Sequence, residues 1–254
     1  MHYKSYGDSD SPALVFLHGF LGDRSQFEFL IDSFSKDYRV VLIDLPGCGV
    51  EAEDLSEDLS FESLTAELSD FLKGLDLNQP ILIGYSLGAR LGLYVHLKQN
   101  YKFHALFLES LNPGVSDPQQ KIMRAEKDQK LSDKILSDSY EDFLSAWYSA
   151  DLFTDLSKEE LMLSALKYNP KNQALILKNL SPGRMPSMWE DLKIIDVPVC
   201  LLTGELDSKF TEFSKQALRF IPNARHEIVS GAGHNVHLSK SSHYLKLLTK
   251  FIQS

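Results

Sequence analysis

The chain has 254 residues, 43% of them hydrophobic, and a formal net charge of −9 at pH 7. That length and apolar content allow a large buried core and exclude general disorder, and the acidic balance argues against nucleic acid or an anionic membrane surface as a main partner. Cys48 and Cys200 are the only cysteines, which excludes a disulfide framework and leaves no Cys/His cluster for structural zinc.

The opening "MHYKSYGDSDSPALVFLHG" is polar before it turns apolar, so no basic-then-apolar leader is read, and no later run approaches the ~18 apolar residues of a membrane span. A cytoplasmic chain with no membrane insertion is expected. Short, nearly continuous apolar runs follow at 13–19, 38–47, 81–86 and 103–110, and again at 197–205 and 225–231. Such runs suit strands covered on both faces, as in a parallel sheet. Between them "FESLTAELSDFLKGL" places Phe61, Leu64, Leu68, Phe71, Leu72 and Leu75 at helical spacing. Alternating strands and helices predict an α/β fold: a mostly parallel sheet with helices on both faces. From about Gly114 to Trp189 no strand pattern is present, and stretches such as 140–153 and 158–169 have helical periodicity. The expected organisation is therefore a core of residues 1–113 and 190–254 interrupted by a helical lid at 114–189. A helix over 237–252 closes the chain, and no long apolar face calls for a second copy, so a monomer is expected.

Gly84-Tyr85-Ser86-Leu87-Gly88 fits G-x-S-x-G at a strand-to-helix junction. The tight turn there needs glycines, because a side chain on either side of the serine would crowd neighbouring backbone. A serine hydroxyl is weakly reactive at neutral pH and needs a base, itself oriented by a carboxylate, supplied later in the chain in the order acid then histidine. Asp207, after the run at 197–205, and His234, after the run at 225–231, fit that order and the same sheet edge. Glu205 rivals Asp207, and His18 and His237 rival His234; His18 is better placed to order the loop that follows it. Two backbone donors must face developing negative charge, and the N–H groups of Phe20 and Leu87 are the candidates. Arg90 lies four residues from Ser86, on the same helix face. A cation near a helix N-terminus is disfavoured by ~0.3–1 kcal/mol, so carboxylate binding explains it better than stability does.

The segments "LHGFLGD", "DLPGCG", "GYSLGAR", "GELDSKF" and "GAGHNVH" together resemble the α/β-hydrolase superfamily over nearly the whole chain. "GYSLGAR", "LESLNPG", "PSMW" and "GELDSKF" resemble more specifically its 2-succinyl-6-hydroxy-2,4-cyclohexadiene-1-carboxylate synthase family of menaquinone biosynthesis. That family eliminates pyruvate from a cyclohexene polycarboxylate without net hydrolysis. The resemblance implies that Arg124 in the lid binds substrate, that Lys167 stands where the family has another arginine, and that Trp147 walls the pocket. Tyr85 is placed to donate a hydrogen bond to a substrate carboxylate, and Arg184 is a second candidate to replace the missing arginine. Cys48 departs from the histidine common in the "DLPGHG" segment of relatives.

The implied partner is a small-molecule polycarboxylate, with no metal and no organic cofactor. Ser86, made basic by His234 and Asp207, is expected to remove a ring proton while Phe20 and Leu87 receive the enolate oxygen. A hydrolase of esters, thioesters or carbon–carbon bonds uses the same triad. A non-catalytic binding protein on this scaffold is disfavoured by the intact serine, aspartate and histidine.

Overall fold

The computed structural model describes residues 1–254. Its strands are β1 (His2–Tyr6), β2 (Ala13–Leu17), β3 (Arg39–Asp44), β4 (Ile81–Tyr85), β5 (Ala105–Glu109), β6 (Val199–Gly204) and β7 (Ala224–Val229). The helices are α1 (Ile31–Phe34), α2 (Phe61–Gly74), α3 (Leu87–Lys98), α4 (Pro118–Ser137), α5 (Tyr140–Tyr148), α6 (Lys158–Ala165), α7 (Pro170–Asn179), α8 (Ser208–Ala217), α9 (Val236–Ser239) and α10 (Ser241–Ile252).

The strands form one sheet in the order β1-β3-β2-β4-β5-β6-β7. All neighbours are parallel except β1, which runs antiparallel to β3. Six strands fall on the apolar runs. The seventh, β1, was not expected: "HYKSY" is mostly exposed and lacks an apolar signature because it caps an open edge, where a polar strand carrying Lys4 discourages pairing with another chain.

Alternate residues of the central strands feed two cores. Val15, Leu17, Val41, Ile43 and Leu82 face α2 and α3, while Leu14, Phe16, Val40, Leu42 and Ile83 face α10 and the 3₁₀ turn carrying Phe27. Each fully buried Leu or Phe side chain contributes about 1.5–3 kcal/mol. Helix α2 starts at a reciprocal capping box between Ser60 and Ser63. It buries Phe61, Leu64, Leu68 and Leu72, the stripe legible in its spacing. Helix α3 is buried from Leu87 to Leu97, which explains its apolar composition all round.

Between β5 and β6 the chain is helical, α4 to α7, with no strand. These helices hold a third apolar cluster of Leu21, Phe143, Leu144, Tyr148, Phe153 and Leu177, which Phe20 and Trp147 flank. No helix is long and apolar enough to cross a membrane. The order of strand addition reverses between β2 and β4, since β3 lies on one side of β2 and β4 on the other. Such a switch point opens a crevice at the carboxyl ends of the strands, where ligands of α/β sheets bind.

His96, near the end of α3, is buried, and its Nδ1 accepts the Phe103 N–H at 3.2 Å. Burial first, then the Lys102 charge, lowers its pKa to about 4. The unfolded chain, with an ordinary histidine pKa near ~6.5, then binds more protons than the fold as pH falls, so stability is present above that value and lost toward pH 4. Replacing His96 with Gln is expected to flatten the fall in unfolding free energy between pH 7 and pH 5 by on the order of 2 kcal/mol, read from urea titrations. Identical pH slopes in the two proteins would assign the acid sensitivity elsewhere.

Candidate active site

Ser86 stands between β4 and α3 with φ 49° and ψ −102°. A left-handed, non-glycine residue of this kind costs on the order of 1–3 kcal/mol and persists only where its surroundings enforce it. Its N–H donates to the Glu109 carbonyl at 2.9 Å, and its own carbonyl accepts the Arg90 N–H at 3.1 Å. Both flanking glycines are sterically required. A Cβ at Gly84 would lie 2.7 Å from the Ala89 Cα, and one at Gly88 would collide with the Leu17 carbonyl.

The loops after β6 and β7 bring the partners. His234 Nε2 is 3.1 Å from Ser86 Oγ, and His234 Nδ1 is 2.6 Å from Asp207 Oδ2. Asp207 and His234 are both buried, and Asp207 also accepts the Phe210 N–H at 3.3 Å, capping α8. With Nδ1–H given to the carboxylate, Nε2 faces Ser86 as an acceptor. Glu205, the rival acid, instead binds Ser230 Oγ and the Gly231 N–H at the surface.

His18 and His237, the rival bases, have other partners. His18 is buried, its Nδ1–H donating to the Gly19 carbonyl at 2.8 Å and its Nε2 accepting the Leu45 N–H at 3.0 Å. Both bonds require the neutral ring, and burial lowers its pKa accordingly. It therefore fixes the turn that presents Phe20, whose N–H makes no hydrogen bond within the protein. Leu87 opens α3, so its N–H has no carbonyl behind it in the helix. These free donors flank Ser86.

His237 lies in a fully buried pair with Glu109, which the sequence reading missed. Its Nδ1 is 2.9 and 3.0 Å from the two carboxylate oxygens, and its backbone N–H donates to the same carboxylate at 3.2 Å. The His237 ring packs 4.6 Å from the Tyr85 ring and 4.9 Å from that of Phe27. Next along the chain, Ser110 Oγ donates to the His234 carbonyl at 3.0 Å. The end of β5 thus pins both the serine turn and the histidine loop.

A cavity of about 510 Å³ opens above Ser86, between the sheet and helices α4 to α7. Tyr85, Leu87, Phe210 and His234 line it from below, with Phe143, Trp147, Tyr148 and Phe153 from above. Trp147 packs edge-on to Phe20 at 5.3 Å. Burial, then the nearby Glu109 charge, raises the Tyr85 pKa far above its ordinary value, so Tyr85 remains a neutral phenol able to donate.

One end of the cavity is cationic. Arg90 is buried there, its Nη1 bound to the Leu180 carbonyl at 2.8 Å, and no carboxylate pairs with it. Burial first, then the charge of Arg124, lowers its pKa to about 9, still a cation at neutral pH. Arg124 Nε is held by Asp128 at 2.8 Å, which leaves its Nη groups unbonded toward the cavity. No group of three His, Cys, Asp or Glu side chains converges to hold a metal ion.

Two of the residues considered for substrate binding lie away from the cavity. Lys167 is exposed just beyond α6 and does not line the cavity, because the chain turns there to bury Tyr168, not the lysine. Arg184 is also exposed and bonds Gln129 Oε1 at 3.3 Å, away from the cavity. Cys48 is a buried thiol whose pKa burial pushes up.

Removing the Glu109 carboxylate strands two buried donors of His237. Glu109→Ala is expected to cost about 3 kcal/mol, a fall in Tm on the order of 6–12 °C for a chain of this size. An unchanged melting curve would show that the pair contributes nothing to holding the sheet edge together.

Residues 12–241 match the α/β hydrolase fold family. A Bacillus subtilis protein, provisionally named 2-succinyl-6-hydroxy-2,4-cyclohexadiene-1-carboxylate synthase, is 32% identical over 98% of this chain and 93% of its own. A Photorhabdus laumondii protein carrying the same synthase name is 30% identical, over 97% of this chain and 90% of its own. Among solved structures, MenH from S. aureus superposes with a TM-score of 0.93 at 30% identity, covering 99% of this chain and 98% of that one. By sequence, sheet order and the turn at Ser86, the chain belongs to the α/β hydrolase fold family.

Proposed function

We propose that this chain is a 2-succinyl-6-hydroxy-2,4-cyclohexadiene-1-carboxylate synthase, a carbon–oxygen lyase that releases pyruvate from 5-enolpyruvoyl-6-hydroxy-2-succinyl-cyclohex-3-ene-1-carboxylate in menaquinone biosynthesis. The observation that carries this reading is the coexistence, in one cavity, of a Ser–His–Asp arrangement and arginines that no protein carboxylate pairs with at Arg90 or fully occupies at Arg124. Near-full-length similarity to proteins bearing that name supports it. An esterase for neutral substrates gains nothing from buried, unpaired guanidinium, whereas a substrate with three carboxylates offsets its cost.

In this mechanism Asp207 holds His234 in the tautomer whose Nε2 faces Ser86. As His234 takes the hydroxyl proton, the Ser86 oxygen removes the ring proton alpha to the succinyl carbonyl. The electron pair moves into the carbonyl, and the resulting enolate oxygen meets the N–H groups of Phe20 and Leu87. Re-forming the carbonyl pushes the pair through the ring double bond and breaks the ring carbon–oxygen bond to the enolpyruvyl group. Enolpyruvate leaves, takes up a proton and tautomerises to pyruvate, while the ring becomes a conjugated diene. The balance needs no water and no redox partner. Tyr85, Arg90 and Arg124 orient the carboxylates, and Trp147 walls the ring. A substrate bearing three charges is water-soluble, and in this reading the enzyme meets it in the aqueous phase.

The test is to follow diene absorbance and pyruvate release on freshly prepared substrate. Wild type is expected to exceed the spontaneous rate by orders of magnitude, and Ser86→Ala to lose at least about 10³-fold in kcat. Arg90→Ala is expected mainly to raise KM, by about tenfold or more. A wild-type rate at background, together with an acyl-enzyme burst on simple nitrophenyl esters, would replace the lyase with a hydrolase.

A further inference from the structure

With Lys167 turned to solvent, two strong cations, Arg90 and Arg124, remain from the expected set for a substrate of three carboxylates. A third lies on the opposite wall. Lys209 follows Asp207 by two residues, in the first turn of α8, and lines the same cavity as Arg90 and Arg124. Its Nζ makes no hydrogen bond or salt bridge and rests 5.9 and 5.8 Å from the ring centres of Phe210 and Phe213. A lysine in the first turn of a helix opposes the helix dipole, and its only partners there are the faces of two aromatic rings, with no carboxylate bonded to it.

The surroundings of Lys209 are mainly cationic and aromatic. Its side chain is exposed, yet partial burial against the cavity wall lowers its pKa most, followed by the charges of Arg124 and Lys127. The nearby carboxylates are committed: Asp128 to Arg124 and Ser181, Asp207 to His234 and the Phe210 N–H. Arg90, Arg124, Lys127 and Lys209 line one cavity, together with Lys134 and the carboxylates of Asp128, Asp138 and Asp142. Arg90 and Lys209 both experience the repulsion of Arg124. A bound carboxylate relieves it, and flexible ammonium donors accept varied carboxylate geometries.

We propose that Lys209 is a substrate-binding residue that receives one carboxylate of a polycarboxylate substrate, opposite Arg90 and Arg124, in the role similarity assigns to Lys167. The inference deepens the synthase reading and rests on it for the identity of the substrate.

Lys209→Gln, Lys209→Arg and Lys167→Gln are compared by steady-state kinetics on the enolpyruvyl substrate. KM is expected to rise about 10- to 100-fold in Lys209→Gln, the loss of one charge-assisted bond. kcat is expected to stay within about threefold, and Lys209→Arg to restore most of the lost affinity. A KM that rises in Lys167→Gln and not in Lys209→Gln would overturn the assignment. A wild type that does not turn the substrate over would sink the synthase reading, so a second probe decides Lys209 independently. Citrate, a soluble tricarboxylate, is expected to raise the Tm of the wild type and to do so far less in Lys209→Gln. Equal shifts in both proteins, or none in either, would refute an anion site at Lys209.

Discussion

The left-handed turn at Ser86 is the constraint on which the site depends. Its φ of 49° aims the hydroxyl out of the sheet while handing the chain directly to α3. The turn can close only because Gly84 and Gly88 bear no side chain: Gly88 packs against the Leu17 carbonyl and Gly84 against Ala89. That close packing draws the end of β2 against the start of α3, and the unbonded Phe20 and Leu87 N–H groups lie in the segments that follow. Backbone strain, helix placement and the two donors are consequences of one local geometry.

Strain of this kind needs a rigid frame, and β5 supplies it. The Glu109 carbonyl holds the Ser86 N–H, the Glu109 carboxylate holds His237, and Ser110 holds the His234 carbonyl. The α4 to α7 segment adds to the frame: the Leu152 carbonyl accepts the His234 N–H at 3.0 Å, and Asp155 accepts the Gly233 N–H at 2.6 Å. The histidine loop is therefore clamped between sheet and lid helices. Geometry at Ser86 is coupled to the segment that covers the cavity, because the same few residues build both.

Much of this was legible in the sequence, for a specific reason. Strand-end positions and the order Ser86, Asp207, His234 follow from local patterns that survive folding unchanged. Asp207 was separable from Glu205 because it lies further past the strand. The structure places Tyr85, Arg90, Arg124 and Trp147 on the cavity as well. What failed to show was long-range pairing. Glu109 and His237 are 128 positions apart, and neither sits in a pattern that announces a buried pair. The resemblance implied a cation at Lys167, but where its side chain goes depends on how the chain leaves α6, and there Tyr168 takes the inward position. Lys209 was in plain view in "GELDSKF", yet only the apposition of α8 and α4 gives it a role.

In the proposed reading, the chemistry is chosen by register within the pocket, not by the triad. A serine activated by histidine attacks whatever it meets: a carbonyl carbon gives acyl transfer, an acidic C–H gives elimination. Ser86 and Arg90 are four residues apart in sequence, and at the start of α3 that spacing puts them about one turn apart on the same face. An anion held by Arg90 thus has its ring suspended a fixed distance from Ser86. With further cations on α4 and α8, translation of the ligand is restrained from three sides. The arginines then do more than add affinity: they hold the ring proton, and not the succinyl carbonyl carbon, in front of Ser86, and binding energy remote from the reacting atoms becomes selectivity for one reaction over the other.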